Sequence, residues 1–141
     1  MIERNLLEKI SKNIESNLFV FEGANGSLGL SFLKFLLENK IKPFKLLLTT
    51  FSSDIDPEWT RLNCPIIHLK ARDDCFIKKR EEIINSNKNA CVIFGSGYGR
   101  PNKFSNDPES VILSNINNLL GYSKLDIKYF GFLSTSELYT G

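Results

Sequence analysis

Gly23, Gly26 and Gly29 recur at every third position in GANGSLG, between the apolar run Leu18 to Glu22 and the helical pattern LSFLKFLLENK. Phe19, Val20 and Phe21 supply the aromatic and β-branched bulk of a strand. Leu28, Phe32, Phe35 and Leu36 mark one face of the helix that follows. A strand that feeds a helix through so short a glycine turn opens a βαβ unit. Gly23 permits the tight turn, Gly26 lets the backbone approach a diphosphate, and Gly29 lets helix and sheet pack closely. The helix's first amides and its dipole then face the phosphates. The cofactor-binding candidates on this pattern are Gly23, Asn25, Gly26, Ser27, Leu28 and Gly29.

Four more apolar runs follow, at Phe44–Thr49, Ile66–Leu69, Ala90–Phe94 and Tyr129–Leu133. Runs such as KLLLTT and VIF lack polar alternation, as strands do when helices cover both faces of their sheet. Phe76, Ile77, Ile83 and Ile84 make a helical stripe under KKREE, and Asp107 with Pro108 predicts a capped helix burying Val111, Ile112, Ile116, Leu119 and Leu120. Between the second and third strands only a turn or two of helix is expected, near Pro57–Leu62. Ahead of the first strand, Ile2, Leu6, Ile10 and Ile14 recur every fourth residue, which predicts an amphipathic helix covering a face or edge of the domain. The expectation is therefore an α/β, Rossmann-like doubly wound parallel sheet of about five strands over residues 18–141, led by a helix over residues 1–17.

At 141 residues and with no internal linker, the chain is expected to be one domain or the first part of one. Its net charge of +2 implies neither nucleic-acid nor anionic-membrane binding. Lys78, Lys79 and Arg80 are offset at once by Glu81 and Glu82, which reads as a solvated helix face. No apolar stretch approaches the roughly 18 residues of a membrane span, and the amino terminus, which carries acids and no long apolar centre, does not read as a signal peptide. Cys64, Cys75 and Cys91 have neither knuckle nor CxxC spacing, and His68 is the sole histidine, so no metal site is expected and a cytoplasmic location is.

An acid at the end of the second strand would grip the adenosine ribose of NAD. Here the sequence runs Thr49-Thr50-Phe51-Ser52-Ser53-Asp54, so that acid is absent or displaced, and no arginine for a 2′-phosphate follows. NAD is the expected cofactor, with NADP left open.

The opening GANGSLG and the closing FLSTSELYTG at Phe132–Gly141 together resemble the extended short-chain dehydrogenase/reductase family, the NAD-dependent nucleotide-sugar epimerases, dehydratases and decarboxylases. RPNKFSNDP at Arg100–Pro108 and NNLLGYSK at Asn117–Lys124 are similar to the UDP-glucuronate decarboxylase-like branch. The resemblance covers about Leu18 to Gly141. It implies that Thr135 hydrogen-bonds the reacting sugar oxygen and that Glu137 is the acid acting near the sugar. Ser136 stands where dehydratases carry an aspartate, and Lys70 where the family has an acid near the adenine. Gly95, Ser96 and Gly97 replace the family's small-residue turn after the fourth strand and still permit close approach to a cofactor.

The family's acid–base pair is Tyr-x-x-x-Lys. Four residues after Tyr98, Tyr122 and Tyr129 come Asn102, Asp126 and Leu133, and Tyr139 is too near Gly141 to have such a partner. The resemblance therefore implies the amino-terminal NAD(P)-binding part of such an enzyme, inactive alone, whose complete parent takes a nucleotide-sugar. The alternative is a non-catalytic Rossmann-fold structural or partner-binding protein, with a homo-oligomer among its forms.

Overall fold

A computed structural model describes residues 4–95 and 105–133. Helix α1 (Arg4–Ser16) leads into β1 (Leu18–Glu22), α2 (Ser27–Glu38) and β2 (Lys45–Thr50). A 3-10 helix, Pro57–Leu62, precedes β3 (Ile66–Lys70), α3 (Phe76–Asn85) and β4 (Ala90–Phe94). Then come α4 (Pro108–Ile112), a π turn (Leu113–Asn117), α5 (Asn118–Gly121), a 3-10 turn (Tyr122–Lys124) and β5 (Ile127–Phe132). The strands form one all-parallel sheet in the order β3-β2-β1-β4-β5. With helices on both faces, this is a Rossmann-like doubly wound α/β fold.

The central strands are buried on both faces, which explains their uninterrupted apolar character: Val20, Leu46, Leu47 and Leu48 are wholly excluded from water. Each such side chain contributes about 1.5–3 kcal/mol of burial free energy. On one face Phe19, Phe21, Leu46 and Leu48 pack with Leu33, Leu36, Ile14 and Trp59. On the other, Val20, Leu47, Val92 and Phe94 pack with Ile84 and Tyr122. Helix α1 does cover a face, with Leu7, Ile10 and Ile14 on the first cluster, although Leu6 is exposed. Ile2 lies outside the described residues.

The helices depart from the predicted faces at particular residues. In α2 Leu36 is buried and Phe32 and Phe35 pack against the first cluster as expected, but Leu28 is exposed and Gly29 and Leu33 are buried. The close approach of Gly29 to the Ala24 backbone decides which face turns inward. Along α4 and α5, Ile112, Ile116 and Leu120 are exposed and Asn118 and Tyr122 are buried instead. The π turn adds residues per turn and so rotates the face that an α-helical count assigns. The predicted cap at Asp107 is present: its Oδ1 accepts from the Ser110 amide at 3.3 Å.

In α3 the run Lys78, Lys79, Arg80 is not uniformly solvated. Arg80 is fully buried, between Phe76 and Ile84 on the inward face. Among the described residues strand β5 pairs only with β4, and Tyr129, Phe130 and Phe132 on it are exposed.

Candidate functional site

Strand β1 ends at Glu22 and the chain reverses at Gly23, whose φ of 88° is unfavourable for any side-chain-bearing residue. The amides of Gly23 and Ala24 both donate to Thr49 O of β2, at 3.1 and 2.9 Å, and Gly26 N donates to Gly23 O at 3.0 Å. These bonds fix the turn to the sheet. At Gly29 a Cβ would overlap the backbone carbonyl of Ala24, so only glycine allows α2 to start this close to β1. Trp59, completely buried, supports the turn from below and donates its indole N–H to Ala24 O at 3.4 Å.

Helix α2 begins at Ser27 with Gly26 as its N-cap, and no side chain caps it. Gly26, Ser27 and Leu28 are exposed. The first amides of a helix have no intrahelical acceptor. Those of Ser27 and Leu28 thus open to solvent with the positive end of the dipole behind them, an arrangement suited to phosphate oxygens.

Across the turn, β4 ends beside β1. Gly95 donates its amide to Glu22 O at 3.0 Å, and a Cβ there would lie 3.2 Å from the same oxygen and 3.3 Å from the Phe21 ring. Gly95 therefore meets the glycine turn where the strand order reverses, between β1 and β4, the position of ligand crevices in open α/β sheets. Ser96, Gly97, Thr135 and Glu137 lie outside the described residues.

The side chain of Asn25 is committed within the protein. Its Nδ2 donates to Ser53 Oγ at 3.0 Å and to Asp54 O at 2.7 Å, and its Oδ1 accepts from Asp56 N at 2.9 Å. It ties the loop after β2 to the glycine turn. In that loop Asp56 caps the following 3-10 helix, accepting from Glu58 N at 2.9 Å. Asp54 is held by Lys70 Nζ at 2.7 Å. The bonded ammonium keeps the Asp54 carboxyl below its usual range, and Asp54 in turn raises Lys70. Thr50 Oγ1 donates to Ser53 O and lies 2.8 Å from His68 Nε2. Burial, helped by the Lys70 charge, lowers the His68 pKa.

Beneath the turn is a polar cluster that the sequence reading missed. Glu22, on the second face of the sheet, accepts from Thr49 Oγ1 at 2.6 Å, from Arg80 Nη1 at 3.0 Å and from the Tyr122 hydroxyl. Arg80 Nη1 also donates to Asn118 O at 3.1 Å, and its guanidinium carbon stands 4.0 Å over the Tyr122 ring. Burial, and next the Glu22 charge, push the Tyr122 phenol well above its usual range. The available signal was an acid closing an otherwise apolar strand immediately before the glycine turn.

Among the described residues no three His, Cys, Asp or Glu side chains gather as a metal site, and no helix is long and apolar enough to cross a membrane.

No protein-family model matches the chain, and no curated protein matches it. Among solved structures, it is similar to a 3-oxoacyl-[acyl-carrier protein] reductase from Brucella melitensis. The two share 16% identity with a TM-score of 0.49, over 77% of this chain and 48% of the reductase. The chain thus spans about half the length of that structure.

Proposed function

We propose that this chain is the dinucleotide-binding portion of a nucleotide-sugar epimerase, dehydratase or decarboxylase of the extended short-chain dehydrogenase/reductase type, inactive alone. The observation that carries the reading is the uncapped start of α2, with Ser27 and Leu28 exposed at the point between β1 and β4 where the strand order reverses. The residues present fit a dinucleotide diphosphate. Gly23 makes the reversal, Gly26 bears no side chain to obstruct it, and Gly29 brings the helix against the turn.

A bound nicotinamide cofactor would supply hydride acceptance and return. This chain's contribution is to hold the diphosphate at α2 and to align the dinucleotide along the strand ends, with Gly95 giving it room beside β1. Thr135 is proposed to hydrogen-bond the reacting sugar oxygen, and Glu137 to act as the acid beside the sugar. The Tyr-x-x-x-Lys pair that would take the sugar hydroxyl's proton is not in this sequence. Cys64, Cys75 and Cys91 are free thiols, which supports the cytoplasmic setting proposed with this function.

Titration calorimetry of the chain with NAD+ and NADP+, with and without a UDP-sugar, tests the reading. Saturable binding of either dinucleotide supports it, and no heat from both overturns it.

A second reading rests on β5. Among the described residues nothing pairs with its outer edge, and Tyr129, Phe130 and Phe132 are exposed on it, as in a strand that receives another chain. On that reading the chain is a non-catalytic Rossmann scaffold that binds a partner. Light scattering over a concentration series checks self-association: growth in mass supports a homo-oligomer, and a constant monomer mass counts against one.

A further inference from the structure

The loop after β2 carries no arginine in sequence, yet the fold brings one there. Pairing between β2 and β3 continues past the strand ends: Ala71 N donates to Thr50 O at 2.8 Å and Arg72 N to Phe51 O at 3.0 Å. Arg72 is thereby the neighbour of Phe51, the first residue beyond β2, where Rossmann folds discriminate the adenosine ribose. Arg72 is exposed and makes no ion pair or side-chain hydrogen bond among the described residues. Lys70, two residues earlier, ends β3 on the same edge.

Three groups able to accept from ribose hydroxyls here already hold partners within the protein. Asp56 caps its helix, Thr50 is bonded to Ser53 O, and Asp54 is paired with Lys70. Asp54 pairs with Lys70 and Asp73 also acts on Lys70, while the exposed Arg72 guanidinium is in no ion pair among the described residues. The Asp54–Lys70 pair is solvated, with the Asp54 side chain 90% exposed, so Lys70 can exchange Asp54 for a stronger anion at small cost.

We infer that Arg72 and Lys70 form a binding site for the 2′-phosphate of adenosine, so that the dinucleotide taken is NADP(H) in preference to NAD(H). This rests on the dinucleotide reading above and specifies its ligand. A guanidinium matches two phosphate oxygens at once, whereas a bare 2′-hydroxyl offers it no charge.

The test is the affinity ratio for NADP+ over NAD+, measured by calorimetry on the full chain and on Arg72→Ala and Asp54→Ala. NADP+ binds the unmodified chain about tenfold or more tightly than NAD+, and the ratio shrinks as salt rises. R72A loses most of the ratio through weaker NADP+ binding. D54A, which frees Lys70, strengthens NADP+. Equal affinities, tighter NAD+, an unchanged ratio in R72A, or loss of NAD+ binding in D54A would each overturn the inference while leaving the dinucleotide site standing. Absence of binding by both dinucleotides removes site and inference together.

Discussion

Arg80 Nη1 lies 3.0 Å from Glu22 Oε1, and both side chains are sealed from solvent. This ion pair joins α3 to the last residue of β1, directly before the glycine turn. Two buried charges recover their desolvation cost only through close pairing and further hydrogen bonds; here Thr49 and Tyr122 bond Glu22 and Asn118 O accepts from Arg80 Nη1, while Arg80 Nε and Nη2 have no partner among the described residues.

Breaking the pair from one side leaves a buried charge alone. Arg80→Met is expected to cost about 3–5 kcal/mol, and Glu22→Leu a comparable amount. The double variant E22L/R80M should cost less than either single, because neither charge is then stranded. Urea unfolding of the three variants measures this. A double variant as unstable as the sum of the singles would show that the cluster is held by packing.

Gly121 and Gly131 separate steric need from tolerance. A Cβ at Gly121 would overlap Arg80 Nη2, a group held on both sides by Phe76 and Tyr122, so Gly121→Ala should cost about 1–3 kcal/mol. At Gly131 the nearest atom would be 3.8 Å away, and alanine there should be neutral within about 0.5 kcal/mol. Thermal melts of both variants check the contrast.

Tyr122 sets an alkaline limit. Its phenol is raised above the ordinary value of 10.0 by burial and by Glu22. The stability linked to its proton is fully present below that value. It is lost as pH rises further, because the unfolded chain releases the proton first. Tyr122→Phe removes this dependence. Urea midpoints at about pH 8 and about pH 11 should fall for the unmodified chain and fall less for Y122F. Equal slopes would contradict the assignment.

The apolar runs and the glycine turn made the strands and α2 legible, since burial on both faces leaves an unbroken hydrophobic signature. The β2 and β5 bounds moved by one or two residues because Phe44 sits outside the sheet and β5 begins at Ile127. What sequence could not show is long-range pairing. Arg80 looked solvated because its neighbours Lys79 and Glu81 are charged, and only the tertiary fold brings Glu22 to it. Arg72 is separated from Phe51 by twenty residues in sequence, yet one backbone hydrogen bond makes them neighbours. The buried side of α4 and α5 was misplaced because a π turn leaves no mark on apolar spacing.

The diphosphate site itself is tested most directly at Ser27, the first residue of α2 and an exposed one. Ser27→Asp puts a carboxylate where the phosphates should lie and, at a helix N-terminus, favours the fold. S27D should melt at or above the temperature of the unmodified chain yet give no binding heat with NAD+ or NADP+. Dinucleotide affinity in S27D equal to that of the unmodified chain would contradict binding at this turn.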